Sequence, residues 1–227
     1  MCIQHEKPTY RRIELRLPTP PPPGVPPLPP VIYFDVDTRF TTSQTNRIRL
    51  VILIVISTWQ QHFIEKEASP YLSQLAMCTQ KYAIRNLTPL WSRGPAITSG
   101  TEAANLAMNT LTQRFIENGT GKVDVATIDY RIPAPGERST IRAKTAKRQF
   151  KVPLSVTINP QVLDDQTIAN LDLAGSLLHA WYHRCGFYHP EDIYTTYFIG
   201  EAPMCVMRGY QDKNPNVPDT LLTQFFD

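Results

Sequence analysis

Histidines stand at positions 179, 183 and 189, three of the five in the chain, with a glycine at 186 between the second and third. That spacing dictates a local shape. Residues four apart share a helix face, so His179 and His183 project side by side. Gly186 can take the left-handed conformation that ends a helix, and the returning chain can then bring His189 to the same point. Three convergent imidazoles with one position left open are the ligand set of a catalytic zinc site, so Zn2+ is the expected cofactor. Two histidines four apart are often satisfied by hydrogen bonds alone. The added glycine and third histidine make a metal the better account.

The rest of the chain must build a body around that helix. At 227 residues it can bury a full core, as one domain or two close lobes. A net charge of +3 argues for no particular partner. The strongest apolar run, Leu50 to Ile56, is too short to cross a bilayer. The first residues lack the apolar core of a signal peptide, which points to a cytoplasmic chain, export by another route, or a signal already removed.

Arg12 to Leu17 alternates as a short strand, and Pro18 to Pro30 follows with nine prolines in thirteen positions. This stiff extended segment reads as a spacer, or as a ligand for a groove. It sets residues 1–35 apart as an N-terminal arm, with residues 36–227 as the main domain and Val31 to Asp37 as the first strand at their junction. Asn46 to Lys66 suits a buried strand by its β-branched run and a helix by its length; helix is favoured. Helices are expected from Ser69-Pro70 through Arg85, with Pro at the first helical position, and over Thr101 to Asn118. Strands are expected over Val123 to Tyr130 and Val152 to Asn159, and Asp164 or Asp165 can cap the histidine helix. Arg138, Arg142, Lys144, Lys147, Arg148 and Lys151 form a basic stretch, read as a solvated loop or a contact with acidic substrate. Apart from Phe150 no aromatic residue interleaves it, so nucleic acid is not an expected partner.

His179 to His189 resembles the zinc-binding sequence of the metzincin proteases, H-E-x-x-H-x-x-G-x-x-H. Downstream, Ala202 to Gly209 is similar to the methionine turn of that clan in its adamalysin form, with Met207 as the methionine beneath the metal. The resemblance implies an α+β fold in two lobes. The upper lobe, about 36–186, would be a twisted mixed sheet with helices; the lower, about 187–227, small and irregular. It implies a zinc endopeptidase acting on peptide or protein substrates, with Leu154 and Val156 on an edge strand that pairs with extended substrate.

One position departs from the pattern. Ala180 stands where the family has the glutamate that takes a proton from the metal-bound water, and alanine cannot do so. The chain as written should therefore bind zinc and hydrolyse peptides hardly at all, losing about 10²–10⁴-fold or more in rate. Either a homologue lost its base naturally and became a peptide-binding pseudoprotease, or the alanine is a deliberate replacement. The intact surroundings favour the second. Glu191 and Glu201 stand at the wrong offsets to substitute.

Other families of the clan suggest two further roles. Tyr210 would be a movable ligand and transition-state donor, though it is one residue out of place. Cys2 would be a latency ligand to zinc, making residues 1–35 a propeptide. Cys185 and Cys205, both near the metal on this plan, are either bridged to each other or two buried free thiols.

Overall fold

The computed structural model describes residues 7–69, 72–134 and 141–227. The fold is α+β, with a five-stranded mixed sheet and, among the described residues, seven helices. Strands β1 (Tyr10–Arg16), β2 (Val31–Asp37), β3 (Ala126–Tyr130), β4 (Ile141–Arg142) and β5 (Val156–Ile158) lie in the order β1-β2-β3-β5-β4. The β2, β3 and β5 strands run parallel, while β1 and β4 join antiparallel at the two edges.

Two expectations change here. Strand β1 pairs with β2 along its whole length, from Tyr10 opposite Asp37 to Arg16 opposite Val31. Residues 10–35 therefore belong to the main sheet and its connection rather than to a separate arm. The proline segment is a long connection within the sheet, and Val25 is buried in the core. Strand β5 lies between β3 and β4, so Val156 is not on an open edge, and Leu154 precedes the strand and is buried. Among the described residues the outermost strand on this side is β4.

Asn46 to Lys66 falls within helix α1 (Thr42–Ala68). Thr41 and Gln44 form a capping box at its start, which satisfies two amide donors that a helix end leaves unpaired. Ile48, Val51, Ile52, Val55, Ile56, Trp59 and Phe63 are buried at helical spacing, so the stripe outweighs the β-branched run. Helix α2 (Gln74–Tyr82) begins later than expected because Ser73 caps it. The proposed start at position 70 lies outside the described residues. Helix α3 (Gly100–Gly119) matches its expected range within a residue at each end. The short α4 (Pro160–Asp164) is capped by Asn159 and absorbs the expected Asp164. Asp165 instead accepts from Thr167.

Helix α5 (Asn170–Arg184) carries the first two histidines and is held from both sides. Trp181, fully buried, stacks on Phe34 of β2 at 5.9 Å and meets Phe115 of α3 edge-on at 5.8 Å. Its indole N–H donates to the Leu154 carbonyl at 3.1 Å. Helix α6 (Phe198–Met207) crosses beneath, and α7 (Thr220–Thr223) leads to residues 224–227. A Cys78–Cys205 disulfide joins α2 to α6. Cys185 is a buried free thiol, pushed up to about 12 by burial. The Cys185–Cys205 pairing is thus corrected: the partner of Cys205 comes from a helix that the sequence pattern did not place near it.

Candidate metal centre

Helix α5 ends as the sequence requires. The Gly186 amide donates to the His183 carbonyl and the Phe187 amide to the Tyr182 carbonyl, the double bond of a Schellman cap, with Gly186 at φ +95°. A side chain at 186 would also strike the indole of Trp91, 2.5 Å from an added Cβ. The turn carries His189 back to the other two. The imidazole centroids of His179, His183 and His189 lie 4.9–5.1 Å apart.

Each ring is aimed by its Nδ1. His179 Nδ1 faces the Ile199 carbonyl at 2.8 Å, His183 Nδ1 the Phe187 carbonyl at 3.1 Å, and His189 Nδ1 the Pro190 carbonyl at 2.7 Å. A carbonyl can only accept, so in the neutral form each ring keeps its proton on Nδ1 and presents a lone pair at Nε2. The Ile199 carbonyl is available for a reason written in the sequence. Pro203, four residues on within α6, has no N–H to give it. Thr145 adds a hydroxyl 2.8 Å from His183 Nδ1.

Onto these three lone pairs the fold brings a carboxylate. Asp227 Oδ1 lies 2.9 Å from Nε2 of His179, 3.3 Å from that of His183 and 3.9 Å from that of His189. Burial holds the buried His179 down at about 4, so it is neutral at neutral pH. The Asp227 carboxylate can only accept, and rings that keep their proton on Nδ1 offer it no N–H. Four electron-pair donors therefore face one another with no proton between His179 and Asp227. His189 Nε2 is buried without a hydrogen-bond partner. A cation at the centre resolves both features. Zinc–ligand bonds of about 2.0–2.2 Å in a tetrahedron separate the donors by about 3.3 Å, within the spread that Asp227 makes. His179, His183, His189 and Asp227 form a group whose donor atoms all lie within 4.8 Å, and which could hold a metal ion.

Comparison with family models, curated proteins and solved structures finds no match.

Asp227 is positioned by its neighbours. Phe226 is fully buried and stacks on His179 at 4.4 Å with the rings 5° from parallel. Ser176 donates to the Phe225 carbonyl, and the Tyr194 hydroxyl to the Asp227 carbonyl, both at 2.6 Å. Tyr194 also lies edgewise to His179 at 5.9 Å. Tyr194, Met204, Met207 and Phe226 form a separate apolar cluster at this end of the centre.

The remaining expected residues fall as follows. Met207 is the last residue of helix α6 rather than part of a turn, and it packs against Gly175 of α5. Tyr210 is not the site's tyrosine. It packs against the main core and hydrogen-bonds Thr58 of α1, with its hydroxyl pushed up to about 12 chiefly by burial. Ala180 is fully buried beside His179 in sequence. Glu201 is buried and held by Lys213 and the Thr196 amide, each at 2.8 Å. Cys2 lies outside the described residues. Asp227, Tyr194 and Phe226 were not foreseen. Of the groups that aim the rings, only Pro203, by freeing the Ile199 carbonyl for His179, left a trace in the sequence.

Proposed function

We propose that this chain is a zinc protein built on the plan of a metzincin-like endopeptidase and unable to hydrolyse peptides as its sequence stands. The observation that carries the zinc reading is the convergence of three Nε2 lone pairs on a carboxylate, with every Nδ1 engaged by a carbonyl. His179, His183 and His189 would hold the ion, with Asp227 as fourth ligand. Bound zinc supplies a Lewis acid that lowers the pKa of coordinated water.

The chain's own residues do not complete a peptidase. Ala180 can neither accept nor return a proton. Glu201 is engaged by Lys213 and stands with Thr196, while Asp227 stands where a water or a substrate carbonyl would need to enter. Tyr194 holds Asp227 there through the main-chain carbonyl.

The Asp227 position favours a second reading, a pseudoprotease that binds peptide without cutting it, because a fourth protein ligand closes the coordination sphere. One experiment separates the two. The double variant Ala180→Glu with Asp227→Ala restores a base and opens a coordination position. Zinc-dependent cleavage of casein supports the endopeptidase plan. Stoichiometric zinc without cleavage supports the binding protein, and failure of the unaltered chain to take up zinc refutes both.

A further inference from the structure

The metal centre leaves the basic stretch after β4 unused, and the fold gives that stretch a place beside it. The loop between β4 and β5 returns along the end of α5 and is fastened there. The Ala146 amide donates to the His183 carbonyl at 2.8 Å. Arg184 donates through Nε to the Pro153 carbonyl at 2.8 Å and through Nη1 to the Lys144 carbonyl at 3.0 Å. The loop is therefore tied to the backbone of a metal ligand.

Two cavities adjoin it. One, of about 470 Å³, is walled by Val156, Thr157, Lys144 and Arg184 and includes the carboxylates of Asp129 and Asp227, so it reaches the metal centre but is not itself purely cationic. The other, of about 400 Å³, is lined by Lys144, Lys147, Arg148 and Arg184 and, among the described residues, by no carboxylate. Lys144 and Arg184 line both cavities, so the two adjoin across these side chains.

The second cavity is an uncompensated positive site. Lys144, Lys147 and Arg148 are exposed. Among the described residues none of these three, nor Arg184, forms an ion pair with a carboxylate. Burial lowers the Arg184 guanidinium, and the like charges of Arg114 and Arg148 lower it further. Cations assembled against their own repulsion beside low-dielectric walls concentrate anions. Among the described residues no aromatic side chain lines either cavity, so these walls offer no platform on which a base could stack. Recesses of this volume next to the sheet edge at β4 suit an extended chain carrying carboxylates.

We propose that these adjoining cavities bind an acidic peptide segment that passes the metal centre, its Asp or Glu side chains seated among Lys144, Lys147, Arg148 and Arg184. This rests on the preceding reading only in taking the ligand to be a peptide.

The test uses the full chain, a fluorescein-labelled peptide alternating Glu with Val, and its Gln counterpart, compared by fluorescence anisotropy at low and physiological salt. Several surface ion pairs acting together give the Glu peptide an advantage of about tenfold, reduced by salt. Lys147→Glu with Arg148→Glu should abolish that advantage while zinc content stays unchanged. Should that variant fail to fold by circular dichroism, Lys147→Gln with Arg148→Gln gives the same readout. Equal affinity for the two peptides overturns the proposal. So does an advantage that survives in a folded variant, or tighter binding of a single-stranded oligonucleotide than of the Glu peptide. Elemental analysis keeps the readings separate: peptide preference without zinc strikes the metal reading alone, and zinc without preference strikes this one alone.

Discussion

Replacing Asp227 by asparagine should move the metal-free and zinc-loaded proteins in opposite directions. Without metal, the carboxylate faces lone pairs on His179 at 2.9 Å and on His183 at 3.3 Å. An amide nitrogen in the same place has two hydrogens to donate, which turns two opposed contacts into two hydrogen bonds. Each adds about 0.5–1.5 kcal/mol, so metal-free Asp227→Asn gains about 1–3 kcal/mol, or roughly 5 °C in Tm for a chain of this size. With metal, the variant loses an anionic ligand. Removal of an outer-shell partner already lowers affinity about 10–100-fold, so a loss of at least about 100-fold, or about 2.7 kcal/mol, is expected here. Calorimetry in excess chelator and then in excess zinc reads both effects in one sample series. The difference in Tm between variant and parent should change sign between the two conditions. A variant less stable in chelator, with zinc affinity intact, would refute the assignment of the Nε2 lone pairs and of Asp227 as a ligand.

Three further outcomes follow from the packing. His62 is buried against Ser73 and lowered from 6.5 to about 3, chiefly by burial. Its contribution is complete above about pH 6.5 and is lost as pH falls toward 3, amounting to about 2 kcal/mol by pH 5; His62→Gln should flatten that part of a urea-denaturation series against pH. A Cβ at position 175 would lie 2.5 Å from Met207 Cγ and 2.6 Å from its Cε. Gly175→Ala should therefore destabilise by about 1–2 kcal/mol despite the better helix propensity of alanine, as overpacking exceeds the gain, and a rise in Tm would contradict this. The Cys78–Cys205 bridge closes a loop of 127 residues, so Cys78→Ala with Cys205→Ala should remove about 4–5 kcal/mol, measurable as a lower denaturant midpoint.

The sequence made some of this legible and hid the rest for physical reasons. The histidine helix, its glycine cap and the returning third histidine are local: residues within eleven positions fix one another's directions, so spacing alone brings the three rings together. Helix α1 was readable because its apolar stripe outlasts any strand. Asp227 was not readable, since its approach depends on Phe226 stacking on His179 and on Tyr194, 33 residues away. The same holds for Cys78, whose partner lies 127 residues on. The misplacement of Val156 at an edge had a similar origin. A two-residue strand, Ile141–Arg142, is too short to carry a periodic signal, yet its pairing with Thr157 and Ile158 is enough to cover β5. Tyr210 sat near the offset a family pattern would suggest. Tyr194, in the turn after the third ligand, is the tyrosine that reaches the centre.

Trp91 gives the metal-site turn a built-in optical gauge. Its indole lies over Gly186 and donates to the Cys185 carbonyl at 2.7 Å, midway between the second and third histidines in sequence. The other two tryptophans, Trp59 and Trp181, are sealed in the core, whereas Trp91 is half-buried. Emission from this chain should therefore combine two interior signals with one that follows the turn carrying His189. Occupancy of the centre can be followed by fluorescence in the unlabelled protein, without a substrate and without any catalytic turnover.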